Sequence, residues 1–386
     1  MCGAARPLYG RPMTGARRSR AVVQTGPRSF EVHELARPEV GPDGAILRLE
    51  LCGICGSDVE QYDGRFDAMG WTSGPTIPGH EPLGIIDEIG ERAARRWGVA
   101  VGDRVAVEPL IPCEQCEACR SGARTRCDGW GRVFSYGLLD TGIGSGLNGG
   151  YAELLALHPN TVLHRMSKAL PASVAVLFNP LAAGVRWAVA EPALGLGDTL
   201  VVLGAGQRGL SCVIAARAAG AGQVIVTDLA RSSDKLDFAL ELGADAAIVA
   251  DEEDVVARVE ELTGGRGADV VVDVTPVATQ PMLDAVQIVR NGGTVICAGV
   301  KGGPTTPFDT DIIMRKSITL KGVFTVDSPS YVQAVRLLER GDGPYARMHT
   351  ASYALEDAER AIHHLAGRTA GRPAINVAIA PAAARR

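Results

Sequence analysis

Two rhythms of apolar residues divide this chain. From about Arg20 to Pro180, short apolar runs are broken again and again by Gly and Pro. The runs Ala45–Leu51, Leu83–Ile89 and Arg104–Val107 predict strands, with Pro42-Asp43-Gly44 and Val101-Gly102-Asp103 as turns between strands. Around Thr199 the rhythm changes. Leu200–Leu203 is a continuous apolar run and predicts a buried strand. Leu210–Ala219 is Ala-rich with helical spacing, and Gly220 follows as a stop. Val224–Val226, Val270–Val274 and Thr294–Ala298 predict further buried strands, and Tyr331–Arg340 a later helix. Buried strands alternating with helices predict an α/β fold with a parallel, doubly wound sheet. The first half predicts an irregular, mostly β region.

At 386 residues the chain is too long for one core and suits two domains of roughly 150–200 residues. The apolar share of 46% argues against disorder, and 5% aromatics leaves Val, Ala and Leu to build the cores. A net charge of −5 gives no reason to expect nucleic acid or an acidic membrane as partner. Apolar stretches such as Val270–Val272 have strand length, so no transmembrane helix is expected. Residues 1–20 scatter Arg6, Arg11, Arg17, Arg18 and Arg20 among Gly, Pro and Ala without an apolar stretch, and read as a disordered extension. A cytoplasmic location is the expectation.

Gly204-Ala205-Gly206-Gln207-Arg208-Gly209 is a G-x-G-x-x-G that follows an apolar strand and opens a helix. In that context Gly204 serves the tight turn, Gly206 the approach of backbone to a pyrophosphate, and Gly209 close helix–strand packing. Gln207 and Arg208 lie at the helix N-terminus, whose free N–H groups and dipole suit phosphates. Asp228 ends the next strand, where a carboxylate accepts ribose hydroxyls and repels a 2′-phosphate. NAD is therefore the expected cofactor, with NADP second because Arg231 can offset part of that repulsion. Thr275 and Gly299 fall at later strand ends, where the nicotinamide half should lie.

Four of the nine cysteines, Cys113, Cys116, Cys119 and Cys127, crowd one segment. In a reducing compartment that spacing suggests a closed tetrahedral zinc site of structural type, within a lobe spanning 108–130. An iron–sulfur cluster and free thiols are the other readings. A second set is dispersed: Cys55 in Cys52-Gly53-Ile54-Cys55-Gly56-Ser57-Asp58, and His80 in Gly79-His80-Glu81.

The order of these motifs resembles the zinc-containing medium-chain dehydrogenase/reductases, the alcohol dehydrogenase family, from about Arg20 to Val377. Val107-Glu108-Pro109 before the lobe is similar to the polyol and threonine dehydrogenase branch. The resemblance implies a GroES-like catalytic domain over 21–179, a Rossmann domain over 180–325, and a return to the catalytic domain over 326–386. It also implies that Cys55 and His80 hold a catalytic zinc, making two zinc ions per chain. Ser57 would take the alcohol proton, Asp58 would orient His80, and Glu81 would lie beside the metal. Cys52 reads as a small buried hydrophobe. A homo-oligomer is implied, a tetramer before a dimer.

Two positions depart from the family. Its third zinc ligand falls on Asn179, an uncharged amide: either Cys55, His80 and Glu81 hold the metal with Asn179 nearby, or occupancy is weak. Glu60 stands where many relatives have the His that ends a proton relay; a carboxylate at a surface end can still exchange protons with water. Phe66, Trp71, Phe134 and Tyr136 are candidates to line a substrate pocket, with ordinary packing as the alternative. The expected reaction is hydride transfer between NAD and a small alcohol or ketone, a secondary alcohol or polyol first. The other readings are zinc-independent reduction of activated double bonds by NAD(P)H, and dinucleotide binding without catalysis.

Overall fold

The computed structural model describes residues 18–72, 74–131, 133–303, 307, 309–341 and 343–381, so residues 1–17 of the expected N-terminal extension lie outside it. The chain divides into two compact units. The first takes the described residues up to Phe178, Leu337–Gly341 and the described residues from Tyr345 on. The second takes Asn179–Arg336. The return to the first unit thus comes eleven residues later than the expected 326, because the helix Ser328–Arg340 begins in the second unit.

The first unit is built on a mixed seven-stranded sheet and a hairpin. Strand Ala45–Ile54 is its spine. It pairs antiparallel with Glu81–Ile89, Leu154–Leu157 and Asn376–Ile379. Its residues are buried except at Arg48 and Glu50, so this strand is covered on both faces. Arg18–Gly26 and Ser29–Ala36 form the hairpin, so Arg18, Ser19 and Arg20, expected in the disordered extension, instead belong to a paired strand. The core is aliphatic, with Tyr62, Tyr136 and Tyr151 as its largest fully buried rings.

The second unit is a six-stranded, wholly parallel sheet. Its strands lie in the order Ala246–Val249, Gln223–Asp228, Thr199–Leu203, Ala268–Asp273, Val289–Cys297, Thr319–Gly322. The order reverses at Thr199–Leu203, which places a switch point at the end of that strand. Val201, Val202, Val271 and Val272 are wholly buried, as a sheet covered by helices demands. Each such side chain contributes about 1.5–3 kcal/mol of burial.

The helix after the glycine motif runs Gln207–Ala219, three residues earlier than apolar spacing predicts, because Gln207 and Arg208 occupy its first turn. Gly220 ends it in the left-handed conformation, as expected. A longer apolar stretch than any read from the sequence is Ala172–Ala190. It is long and apolar enough to cross a membrane by length and composition, yet 83% of it is buried in the protein, which marks a core helix.

Candidate active site

Strand register assembles the first cluster. Gly53 lies opposite Glu81 in the antiparallel pair Ala45–Ile54 and Glu81–Ile89. The chain leaves the first strand through Cys55, which caps the short helix Gly56–Tyr62, and enters the second through His80. One sulfur, one ring nitrogen and one carboxylate oxygen from Cys55, His80 and Glu81 consequently lie within 4.8 Å of one another.

Glycines make the approach possible. A Cβ on Gly53 would stand 2.3 Å from Glu81 Oε2. Gly79 has φ +90°, and a Cβ there would meet the Tyr151 ring and Cys52 Sγ. Cys52 is wholly buried under Gly79 and Gly150, in keeping with a packing role.

Asp58 is 1% exposed and organises the cluster. One of its oxygens accepts the Cys55 N–H at 2.7 Å, and the other lies 3.3 Å from His80 Nδ1. Burial alone would lower the His80 pKa. The Asp58 charge and hydrogen bond, with Cys55, instead hold it well above its ordinary value. With Nδ1 facing Asp58, Nε2 faces the cluster, and Ser57 Oγ sits 3.4 Å from it. A thiol, an imidazole with an oriented tautomer and a carboxylate form a donor set that suits zinc. Glu60 differs from expectation: its side chain is only 12% exposed and pairs with Arg65 at 2.8 Å, so it is not a free surface carboxylate.

Cys113, Cys116, Cys119 and Cys127 bring their sulfurs within 4.8 Å of one another. The Cys113–Cys119 and Cys116–Cys127 separations are 3.9 and 4.0 Å. Zinc–sulfur bonds of about 2.3 Å require tetrahedral edges of about 3.8 Å, so the four fit zinc. Backbone N–H groups of Gln115 and Cys116 point at Cys113 Sγ, and that of Cys119 points at Cys116 Sγ. N–H groups of Cys119 and Asp128 draw the Cys116 thiol down to about 7, while burial pushes Cys119 and Cys127 up. A cation among them would offset that burial. A Cβ on Gly129 would stand 2.3 Å from Cys113 Sγ, so the lobe closes around a glycine.

In the second unit Gly204 has φ +105°, and a Cβ on Gly209 would stand 1.8 Å from Gly204 O. Nothing lies within 4 Å of a Cβ on Gly206, the glycine expected to face a pyrophosphate. Asp228 Oδ2 accepts the Ala205 N–H and Oδ1 the Leu229 N–H, both at 2.7 Å, so this carboxylate also braces the glycine turn. The Arg208 guanidinium lies over Trp187 at 5.4 Å and reaches Asn179 O at 3.4 Å. Asn179 belongs to this unit, where its Nδ2 donates to Tyr331 Oη at 2.9 Å. Thr275 and Gly299 lie side by side, since a Cβ on Gly299 would meet Thr275 O at 2.2 Å.

Two residues escaped the sequence reading. Lys235, on the helix after the Asp228 strand, is lowered by burial and held up in part by Asp228. Lys301 pairs with Asp273 at 2.7 Å. For Lys235 the available signal was its place seven residues after the strand-ending Asp228; Lys301, 28 residues after Asp273, offered none. Of the pocket candidates, Tyr136 is a core residue: it is 1% exposed, and its hydroxyl bonds Thr161 and the His158 N–H. Phe66 packs on Trp71, and Phe134 stacks on Trp130.

Residues 41–168 match the family described as alcohol dehydrogenase GroES-like domain, and 208–340 match zinc-binding dehydrogenase. A "probable alcohol dehydrogenase" of Mycobacterium tuberculosis is 42% identical over 365 residues, 94% of this chain and 98% of that one. An erythritol/L-threitol dehydrogenase of Mycolicibacterium smegmatis is 31% identical over 368 residues, 94% and 97% of the two chains. Among solved structures, an alcohol dehydrogenase from a Thermus species superposes with a TM-score of 0.80 at 27% identity, over 94% of this chain and 99% of that one. With the glycine turn, the cysteine lobe and the Cys55–His80–Glu81 cluster in place, these likenesses make the chain a member of the zinc-type medium-chain dehydrogenase/reductases, the alcohol dehydrogenase family of oxidoreductases.

Proposed function

We propose that this chain interconverts a secondary alcohol or polyol and the matching ketone, with NAD as the hydride carrier and two zinc ions per chain. The observation that carries the reading is the convergence of Cys55, His80 and Glu81 within 4.8 Å, with Ser57 Oγ 3.4 Å from His80 Nε2. Zinc bound there would polarise the substrate oxygen and lower its pKa. NAD would supply the acceptor for the hydride.

The chain's own residues do the rest. Asp58 keeps the His80 proton on Nδ1 and leaves Nε2 to the metal. Ser57 takes the alcohol proton. Gly204, Gly206 and Gly209 let backbone approach the pyrophosphate at the start of Gln207–Ala219, and Asp228 receives the ribose. The substrate class rests on the names of the relatives, which include the erythritol/L-threitol dehydrogenase and a sorbitol dehydrogenase of Bacillus subtilis. We place the protein in the cytoplasm as a homo-oligomer, a tetramer before a dimer, to be measured by sedimentation.

The test is alcohol-dependent reduction of NAD across a panel of secondary alcohols and polyols, repeated with His80→Ala. Turnover with at least one alcohol, falling about a thousandfold in the variant, supports the reading. Asn179 favours a second reading, zinc-independent reduction. Activity on an enone but on no alcohol, insensitive to chelation, would establish that one instead.

A further inference from the structure

The second unit holds a buried ion pair that the reaction scheme does not use. Asp273 ends the strand Ala268–Asp273 and is wholly buried. Its Oδ1 accepts the Thr275 N–H at 2.9 Å and the Thr275 hydroxyl at 2.6 Å. Lys301, beyond the end of the next strand, places Nζ 2.7 Å from Asp273 Oδ2, a contact made as an ion pair rather than as a directed hydrogen bond. The same ammonium donates to Thr275 O at 2.7 Å and to Thr275 Oγ1 at 2.9 Å. Two hydrogen bonds and one ion pair, all within 2.9 Å, thus engage the ammonium with protein oxygens, which suits a clamp and not a phosphate ligand.

The clamp ties together two strand-end loops. Asp273 O accepts N–H groups from Ala298 and Gly299 at 3.0 and 2.9 Å, and Val300 O accepts that of Val277 at 3.1 Å. Val277 is held at φ +64°, a left-handed conformation that β-branched residues rarely adopt. Val277 and Val300 are 43% and 38% exposed, so the laced loops present aliphatic surface. A strained residue and exposed aliphatics on a tightly tied segment point to a binding surface.

Sheet order says which part of the ligand lies there. The glycine turn follows Thr199–Leu203, and Asp228 ends the strand on one side of it. The Asp273 and Lys301 loops end the strands on the other side. With pyrophosphate at the turn and the adenosine ribose at Asp228, the other half of the dinucleotide falls on the clamped loops. This step rests on the dinucleotide-binding reading given above.

We propose that Lys301, acting through Asp273 and Thr275, is a positioning residue that fixes the two loops under the nicotinamide half of the cofactor. It touches no cofactor atom. Its loss weakens binding of the whole dinucleotide and spares a ligand that lacks nicotinamide.

The experiment measures dissociation constants of NADH and ADP-ribose by calorimetry on the full chain. The proteins are wild type, Lys301→Met, the double variant Lys301→Met/Asp273→Asn and Lys301→Arg. The double variant leaves no unpaired buried carboxylate, so it reports even where Lys301→Met fails to fold. The expected result is NADH binding weakened about tenfold in the Met variants, about one hydrogen bond's worth. ADP-ribose should stay within about twofold of wild type, and Lys301→Arg should recover part of the NADH loss. Equal weakening of both ligands, or none of either, overturns the proposal while leaving the dinucleotide reading intact. A wild type that binds neither ligand overturns both.

Discussion

Replacing Asp58 by Asn asks how far a residue that ligates nothing sets the metal site. Asp58 accepts the Cys55 N–H at 2.7 Å with one oxygen and faces His80 Nδ1 at 3.3 Å with the other. In the proposed zinc site it would keep the imidazole proton on Nδ1 and leave Nε2 for the cation. Asn matches its shape but offers one acceptor and one donor. If the amide oxygen keeps the Cys55 bond, the NH2 group confronts the Nδ1 proton. The ring escapes by moving that proton to Nε2, which then cannot ligate. Losing such an orienting partner costs about 10–100-fold in metal affinity, or about 1.4–2.7 kcal/mol. The upper end is expected, because Asp58 is 1% exposed and the His80 side chain only 16%. The assay equilibrates zinc-loaded protein with a graded series of chelators and counts retained zinc by mass spectrometry. Asp58→Asn should release one zinc at about 10–100-fold weaker chelation than wild type and keep the other. A variant that keeps both at the wild-type midpoint would refute the tautomer argument.

Gly209→Ala sets a methyl 1.8 Å from Gly204 O, a backbone atom that cannot swing aside. NADH binding should be lost and the melting temperature should fall by several degrees, consistent with about 1–3 kcal/mol of overpacking; wild-type binding would contradict the assigned turn. Cys127→Ser removes one corner of the cysteine tetrahedron, so the lobe should lose its zinc and become cleavable within residues 113–127 under limited proteolysis, while Cys55-dependent zinc stays. His158 is held neutral, its pKa pushed down to about 4 by burial. The unfolded chain protonates it near 6.5, so its stabilising contribution is complete above about pH 6.5 and lost as pH falls toward 4, about 3 kcal/mol in all. The difference in urea-unfolding free energy between pH 7 and pH 5 should therefore shrink in His158→Asn; an unchanged difference would exclude the residue.

The fold class was legible because its signals are local. Continuous runs such as Leu200–Leu203 and Val270–Val272 announce strands covered on both faces, and the six glycine-motif residues fix a strand–turn–helix by themselves. The cysteine tetrahedron was legible for the same reason, with all four ligands inside fifteen residues. The Cys55–His80–Glu81 cluster was not readable from spacing, since a strand register 28 residues apart brings Gly53 opposite Glu81; family likeness supplied it. Less visible still were Lys235 and the Lys301–Asp273–Thr275 clamp, because a lysine that turns inward looks like any surface lysine until its partner is placed. The apolar stretch Ala172–Ala190 was missed because Asn179, Pro180, Gly184 and Arg186 interrupt it. Tyr136 looked like a pocket aromatic for want of its partner Thr161.

The proposed reaction requires that the Cys55–His80–Glu81 cluster hold a metal needed for alcohol oxidation. The most direct measurement is tightly bound zinc per chain, by mass spectrometry, on protein purified without added metal, in wild type and in His80→Ala. About two zinc ions are expected in wild type and about one in the variant. One zinc in both would mean that only the cysteine lobe is occupied, and would contradict the proposed reaction.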